Sequence, residues 1–243
     1  MRRCPIREAC FKEERLSLSD ELTRYLCVVL RLRAGEQFIG FDGQGWERRY
    51  ELEQEEGASE GRWARALEAP RQGRMGAPLT LCYAVPKGEK IDLVARQVTE
   101  LGVGGLSLWA ASRSVAVWKR DKVKHKRARL EKVLAEAARQ SGRADVPEVS
   151  NPAPLEELIS AHASYDHRFY LDPRASSGLS SLELHAGERV ALLVGPEGGV
   201  SPEELTSLDE AGWRGVALSC PVLRTETAAV GGVALLLEKM GWL

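Results

Sequence analysis

The sequence of 243 residues predicts an α/β protein in two parts: a small all-β N-terminal part, then a larger part built on a parallel sheet. Three observations predict it. Up to residue 67, short β-type runs are separated by closely spaced turn residues. From Leu79 onward, strand-like runs alternate with helix-like ones, the rhythm of a parallel sheet with crossover helices. Finally, the apolar run Val190-Ala-Leu-Leu-Val194 stops abruptly in Gly195-Pro196-Glu197-Gly198-Gly199, and a helix start follows. A buried strand running into a glycine-rich turn and a helix is how open α/β sheets build a ligand crevice at their carboxyl edge.

In chain order, residues 37–41 (QFIGF) end at Asp42-Gly43, and residues 46–52 and 61–67 follow as further short β segments. Turn signals at that spacing predict a small barrel. Residues 69–78 hold two prolines and two glycines and read as the linker, giving a first domain over 1–72 and a second over 73–243. Residues 79–85 are a strand, and Ile91, Val94, Ala95, Val98 and Leu101 mark one apolar helix face. Residues 103–110 are the next strand. The basic stretch after it carries Val123, Leu130, Val133 and Leu134 and continues as a helix to about Gln140. Residues 168–171, 190–194 and 215–219 supply more strands. Ser201 reads as an N-cap, with Pro202 at the first helical position and Glu204 closing a capping box. The last helix, 227–240, has one small face (Ala228, Gly231, Gly232) suited to close packing.

Composition narrows the function. Hydrophobic content of 44% and charged content of 28% are ordinary for a globular protein. No run of about 18 apolar residues is present, so no membrane span is expected. Met1-Arg2-Arg3-Cys4-Pro5 has no apolar core behind it and does not read as a signal peptide. The five scattered cysteines (Cys4, Cys10, Cys27, Cys82, Cys220) then read as reduced thiols of a cytoplasmic protein. With 34 Lys plus Arg against 35 Asp plus Glu, the chain is no polyelectrolyte-type nucleic-acid binder. Its charge is locally uneven: residues 119–132 are strongly basic and 47–60 acidic. The basic run reads either as a solvated helix face or as an RNA-facing one.

The chemistry concentrates in two loops. The GPEGG turn lacks a following Lys-Ser/Thr and is not a P-loop; Gly102-Val103-Gly104-Gly105 lacks the dinucleotide spacing. In Leu223-Arg224-Thr225-Glu226-Thr227-Ala228, Thr225 or Thr227 fits a helix cap and Glu226 favours the positive helix end. Arg224 is disfavoured at that pole, which points to a grip on phosphate or on a polarised carbonyl. His125, His162, His167 and His185 show no metal-ligand spacing, so no metal is expected. Cys220 has no evident base partner and reads as a pocket wall rather than a nucleophile.

GPEGG and LRTETA in this order and spacing resemble the SPOUT superfamily of knotted RNA methyltransferases. More narrowly, they resemble the RsmE family of 16S ribosomal RNA uridine-N3 methyltransferases. Further matching pieces fall in family order: Val29-Leu30-Arg31-Leu32, Phe41-Asp42-Gly43, Lys87-Gly88-Glu89-Lys90, Thr99-Glu100-Leu101-Gly102-Val103, residues 136–143 (EAARQSGR) and Pro173-Arg174-Ala175-Ser176. The resemblance implies a PUA-like RNA-binding first domain and a methyltransferase second domain with a deep trefoil knot. It implies S-adenosylmethionine as cofactor, held by Leu171, Val194, Gly195, Pro196, Glu197, Gly198, Gly199, Leu218, Ser219, Leu223, Thr225 and Thr227. It implies Arg224 as stabiliser of the uridine anion, Glu226 or water as proton acceptor, and Arg31, Arg113, Arg139, Gln140, Arg143 and Arg174 toward the RNA. The partners implied are the 16S rRNA or the small ribosomal subunit and a second copy of the chain, with the pocket at the dimer interface. The chain departs from the family pattern at Ser219 and Pro221, where glycine and arginine are usual, and at Arg24-Tyr25, where histidine is frequent. Those departures keep open a non-catalytic ribosome-assembly factor, and transfer RNA remains an alternative substrate.

Overall fold

A computed structural model describes residues 1–6, 11–53, 63–86, 88, 90–114, 118, 120–218 and 220–243. The chain separates into two compact units, one of Met1–Met75 with Ala138–Val146, the other of Gly76–Ala137 with Pro147–Leu243.

The first unit is a six-stranded sheet. Strands β1 (Arg2–Pro5), β3 (Gln37–Phe41), β4 (Trp46–Glu53), β5 (Trp63–Ala66) and β2 (Arg15–Ser17) pair in the order β1-β3-β4-β5-β2, and β6 (Arg71–Gln72) adds to β4. The expected barrel is an open ladder among the described residues, because β1 and β2 are its two ends and do not pair. Strand β6 falls inside the stretch read as linker; Arg71 anchors it by pairing with Glu47. Alternation along β4 turns Tyr50 and Leu52 inward against Phe38, Leu16 and Ala64. The short helix α1 (Asp20–Arg24), capped by Ser19, runs into a π-helical turn over Tyr25–Val29. The next turn ends at Arg31, the one described non-glycine residue with positive φ (55°). Neither α1 nor β1 and β2 shows enough periodicity to be read from sequence.

In this unit, the 138–146 segment is tied down by charge. Arg143 is only 2% exposed; its guanidinium donates to Asp145 at 2.8 and 2.9 Å, and Arg3 donates to the Arg143 carbonyl. Arg143 was expected to face RNA. That expectation is corrected: burying a guanidinium demands a fixed carboxylate, and here the pair is internal.

The second unit carries a six-stranded parallel sheet in the order β12-β10-β11-β7-β8-β9: β7 (Ala77–Ala84), β8 (Val103–Trp109), β9 (Glu148–Val149), β10 (His167–Leu171), β11 (Val190–Val194) and β12 (Arg214–Val216). Its helices are α2 (Lys90–Leu101), α3 (Arg120–Gln140), α4 (Leu155–Ala161), α5 (Pro202–Glu210) and α6 (Thr225–Lys239). Helix α6 packs on β7, β11 and α2, while α4 and α5 pack together, α4 also on β8 and α5 on β12. Cys82, Ala84, Ala191 and Leu193 join Leu155, Leu158, Leu208 and Trp213 in one core. The alternate residue Leu192 meets α6 instead: a Cβ on Gly232 would stand 2.9 Å from its Cδ2. With both faces covered, β11 is buried at all five positions, which is why it reads as a continuous apolar run. The capping box is present as expected, with Ser201 accepting from Glu204 N and Glu204 from Ser201 N. Strand β12 is shorter than predicted, and α4 was not anticipated, since seven residues span too few turns to show a period. No described helix is long and apolar enough to cross a membrane.

Candidate active site

Strands β12, β10 and β11 are neighbours and parallel, so their carboxyl ends share one edge. Each continues into a loop, and the three loops line a cleft of about 1140 Å³. From β10 come Leu171, Asp172, Pro173 and Arg174; from β11 come Val194 and the whole Gly195–Gly199 turn; after β12 come Leu218, Leu223, Arg224 and Thr225. Two loops picked out in the sequence twenty-five residues apart thus meet in one pocket, at the place where parallel sheets bind ligands.

The GPEGG turn is shaped by contacts on both sides. Gly199 has φ of 74°, a conformation that strains any L side chain, and a Cβ on Gly195 would stand 2.7 Å from Val200 Cγ2. The buried Trp109 indole donates to the Val194 carbonyl at 3.3 Å, fixing the strand end. Arg113, after β8, donates to the Gly198 carbonyl and lines the cleft. Glu204 accepts from Ser112 N at 2.7 Å as well as completing the capping box, so one carboxylate ties the β8 loop to the start of α5.

Helix α6 begins at Thr225, two residues before the expected start at Thr227. Arg224 is its N-cap by backbone, and no side chain caps it, so neither Thr225 nor Thr227 takes the capping role. Arg224 is exposed, lines the cleft and forms no ion pair among the described residues. Thr225 instead accepts from the Tyr83 hydroxyl and donates to Glu226, each at 3.3 Å. Burial, above all, pushes the Tyr83 phenol up to about 12, so it stays a donor. Glu226 sits beside the cleft but not in its lining; its own helix N-terminal amide and then Lys90 hold its carboxyl below the usual range.

Lys90, at the start of α2, joins the two loops. Its ammonium lies 3.1 Å from Glu197 of the GPEGG turn and 3.4 Å from Glu226 of α6. Sequence reasoning noticed Lys90 only within a family segment and gave it no role. Asp172 was missed too, although Asp-Pro-Arg directly after a parallel strand marks the carboxyl edge; it accepts from Arg174 N and from its guanidinium, which holds the Asp172 carboxyl low. Of the remaining expected residues, Thr227 is exposed on α6 outside the lining. Ser219, like Lys87 and Glu89, lies outside the described residues. Arg31 and Gln140 are exposed in the first unit, where Arg139 stacks on Tyr25 at 5.9 Å. Pro221 and Cys220 both line the cleft. Among the described residues no group of three or more His, Cys, Asp or Glu is placed to hold a metal.

This pocket architecture has counterparts. Residues 74–237 match the model of an RNA methyltransferase domain. The ribosomal RNA small subunit methyltransferase E of Mycobacterium bovis is 33% identical over 222 residues, covering 88% of this chain and 84% of its own length. The Bacillus subtilis protein of the same name is 28% identical, with 87% and 85% covered. Among solved structures, the Neisseria gonorrhoeae ribosomal RNA small subunit methyltransferase E bound to S-adenosyl methionine superposes with a TM-score of 0.84 at 25% identity, over 99% of this chain and 98% of that one. A Legionella pneumophila methyltransferase with bound cofactor SAM gives 0.83 at 27% identity, over 97% and 96%. With a domain model matched over most of the chain and relatives aligned along nearly all of it, the protein belongs to the ribosomal RNA small subunit methyltransferase E family of RNA methyltransferases.

Proposed function

We infer that the protein transfers a methyl group from S-adenosylmethionine to N3 of a uridine in the 16S rRNA of the small ribosomal subunit. One observation carries the reading: the GPEGG and LRTETA loops line a single cleft at the carboxyl edge of a parallel sheet, with the Arg224 guanidinium, which forms no ion pair among the described residues, on its wall. The cleft fits the cofactor in kind. It is large enough for a nucleoside with an amino-acid tail, and its glycine turn contributes main chain to the wall. Leu171, Val194, Gly195 to Gly199, Leu218, Leu223 and Thr225 would hold it.

When bound, S-adenosylmethionine supplies a sulfonium methyl electrophilic enough to need no further activation. The chain's own residues do the rest. Uridine N3 lies on the Watson–Crick edge, so the base enters unpaired or flipped out. The cleft walls align nitrogen with methyl, an entropic contribution. Arg224 stabilises the charge that develops on the uracil carbonyls as N3 loses its proton. Glu226 is the proton acceptor in this scheme; its lowered carboxyl makes it a weak base, so the proton passes on to water. Arg113 and Arg174, both on the cleft wall, approach the RNA.

The first domain, over residues 1–72, is read as PUA-like and RNA-binding, and the second, over 73–243, as the SPOUT domain with a C-terminal trefoil knot; the compact units depart from that division in giving residues 73–75 and 138–146 to the first. A homodimer accords with an α6 stripe of Ala228, Gly231 and Leu235. Nothing lies within 4 Å of a Cβ placed on Gly231, Leu235 is 41% exposed, and Val222 in the cleft lining is 84% exposed. A ribosomal RNA substrate accords with a cytoplasmic protein.

Calorimetric titration with S-adenosylmethionine tests the reading, with Gly195→Val as the blocked-pocket control. Binding that the substitution abolishes supports it. No binding to a folded wild type would put the assembly-factor reading ahead, with Pro221 in the cofactor loop as its cause.

A further inference from the structure

Apart from the cleft, the second unit carries a groove of about 490 Å³ between α2 and α3, and nothing in the mechanism uses it. Its lining sets Arg96 of α2 against His125, Ala128, Arg129, Lys132 and Val133 of α3. On α3 these lining residues recur at three- and four-residue spacing, so they share one face. Helix α3 holds eight Lys or Arg against three acidic residues, in a chain whose formal net charge is −1. Its other face buries Leu130, Leu134 and Ala137, so the basic face is presented by a docked helix. Two carboxylates belong to the neighbourhood, Glu136 in the groove and Asp92, which pairs with Arg129 at 2.6 Å. Arg96, Lys122, Lys124 and Lys132 are exposed and form no ion pair among the described residues. A protein near neutrality that gathers such exposed cations on two neighbouring helices keeps them against their mutual repulsion.

We propose that the α2–α3 groove is a second RNA-contact surface, gripping the phosphate backbone of a helix that flanks the target uridine. The proposal rests on the RNA-methyltransferase reading above, and it adds a site for phosphates rather than for the reacting base. The groove's small residues, Ala128 and Val133, leave room for a backbone, while Arg96 and Lys132 reach phosphates from the two helices.

The test is binding of a fluorescein-labelled RNA hairpin with an unpaired loop uridine across a salt series, for wild type and Arg96→Gln/Lys132→Gln. Each phosphate contact contributes roughly 0.9 to the slope of log K against log salt, so the double variant should lose about 2 from that slope and bind about tenfold more weakly at low salt. Its S-adenosylmethionine affinity, melting temperature and kcat at saturating RNA should match wild type, with the loss appearing in KM. An unchanged slope and affinity in a folded variant overturns the proposal. So does equal competition by polyglutamate of matching charge, which would make the groove a generic anion surface for acidic proteins. Failure of wild type to bind S-adenosylmethionine or to methylate RNA strikes the enzymatic reading instead, and the slope comparison still decides the groove.

Discussion

At the residue scale, the proposed chemistry turns on Arg224. A cation at a helix N-terminus opposes the helix dipole, and no described carboxylate offsets it, which favours the proposed role of meeting an anion that forms during the reaction. Arg224→Lys keeps the charge but loses the planar, multidentate donor set. We expect single-turnover methyl transfer to fall about 100-fold, with S-adenosylmethionine affinity nearly unchanged, the magnitude of removing one preorganised donor to a developing oxyanion. Wild-type rates in that variant would remove Arg224 from the mechanism. The residue was legible in sequence because it broke a local rule. Arg143 looked just as promising and is buried with Asp145, since nothing in EAARQSGR distinguishes a guanidinium aimed at solvent from one paired within a fold.

At the scale of elements, the site depends on how loops are tethered to strands and helix starts. Glu204 caps α5 by accepting from Ser201 N and also accepts from Ser112 N, so two loops depend on one side chain. Removing an N-terminal cap costs about 1 kcal/mol, and the second lost hydrogen bond adds about 1 more. Glu204→Ala should therefore destabilise by about 2 kcal/mol in chemical denaturation and weaken S-adenosylmethionine binding through the loosened Gly198 turn, whereas Ser201→Ala should cost about half as much. Equal losses for the two would show that the Ser112 bond contributes nothing. The capping box was readable because its partners are three residues apart. The Ser112 bond spans ninety-two positions and has no sequence signature.

At the scale of the molecule, pH exposes the buried polar core of the second unit. His162 is 4% exposed; its Nδ1 donates to the Leu158 carbonyl at 2.8 Å, leaving Nε2 to face Ser107 Oγ and Cys82 Sγ. Burial, with a further contribution from nearby Arg189, lowers its pKa from the usual 6.5. The unfolded chain therefore takes up a proton at a higher pH than the native one. The stability His162 contributes is complete above pH 6.5 and is lost as pH falls below it. This step precedes the acid range in which Asp172 and Glu188, both held below their usual values of 3.8 and 4.5, give up theirs. Urea midpoints measured from neutrality down to pH 5 should fall for wild type and stay flatter for His162→Gln; parallel curves would assign the decline to other groups.

The sequence by itself determined the α/β class, the core strands of the parallel sheet, the capped start of α5 and the two loops that line the cleft. These depend on local pattern: period-2 or continuous apolar runs, glycine at strained turns, and capping over three residues. Only the tertiary structure decided that the loops after β10, β11 and β12 share a cleft, that Lys90 bridges Glu197 and Glu226, and that Arg143 is internal. Those contacts join positions far apart in the chain and follow from strand order in a sheet, and strand order is settled by which faces bury together rather than by any local run of residues.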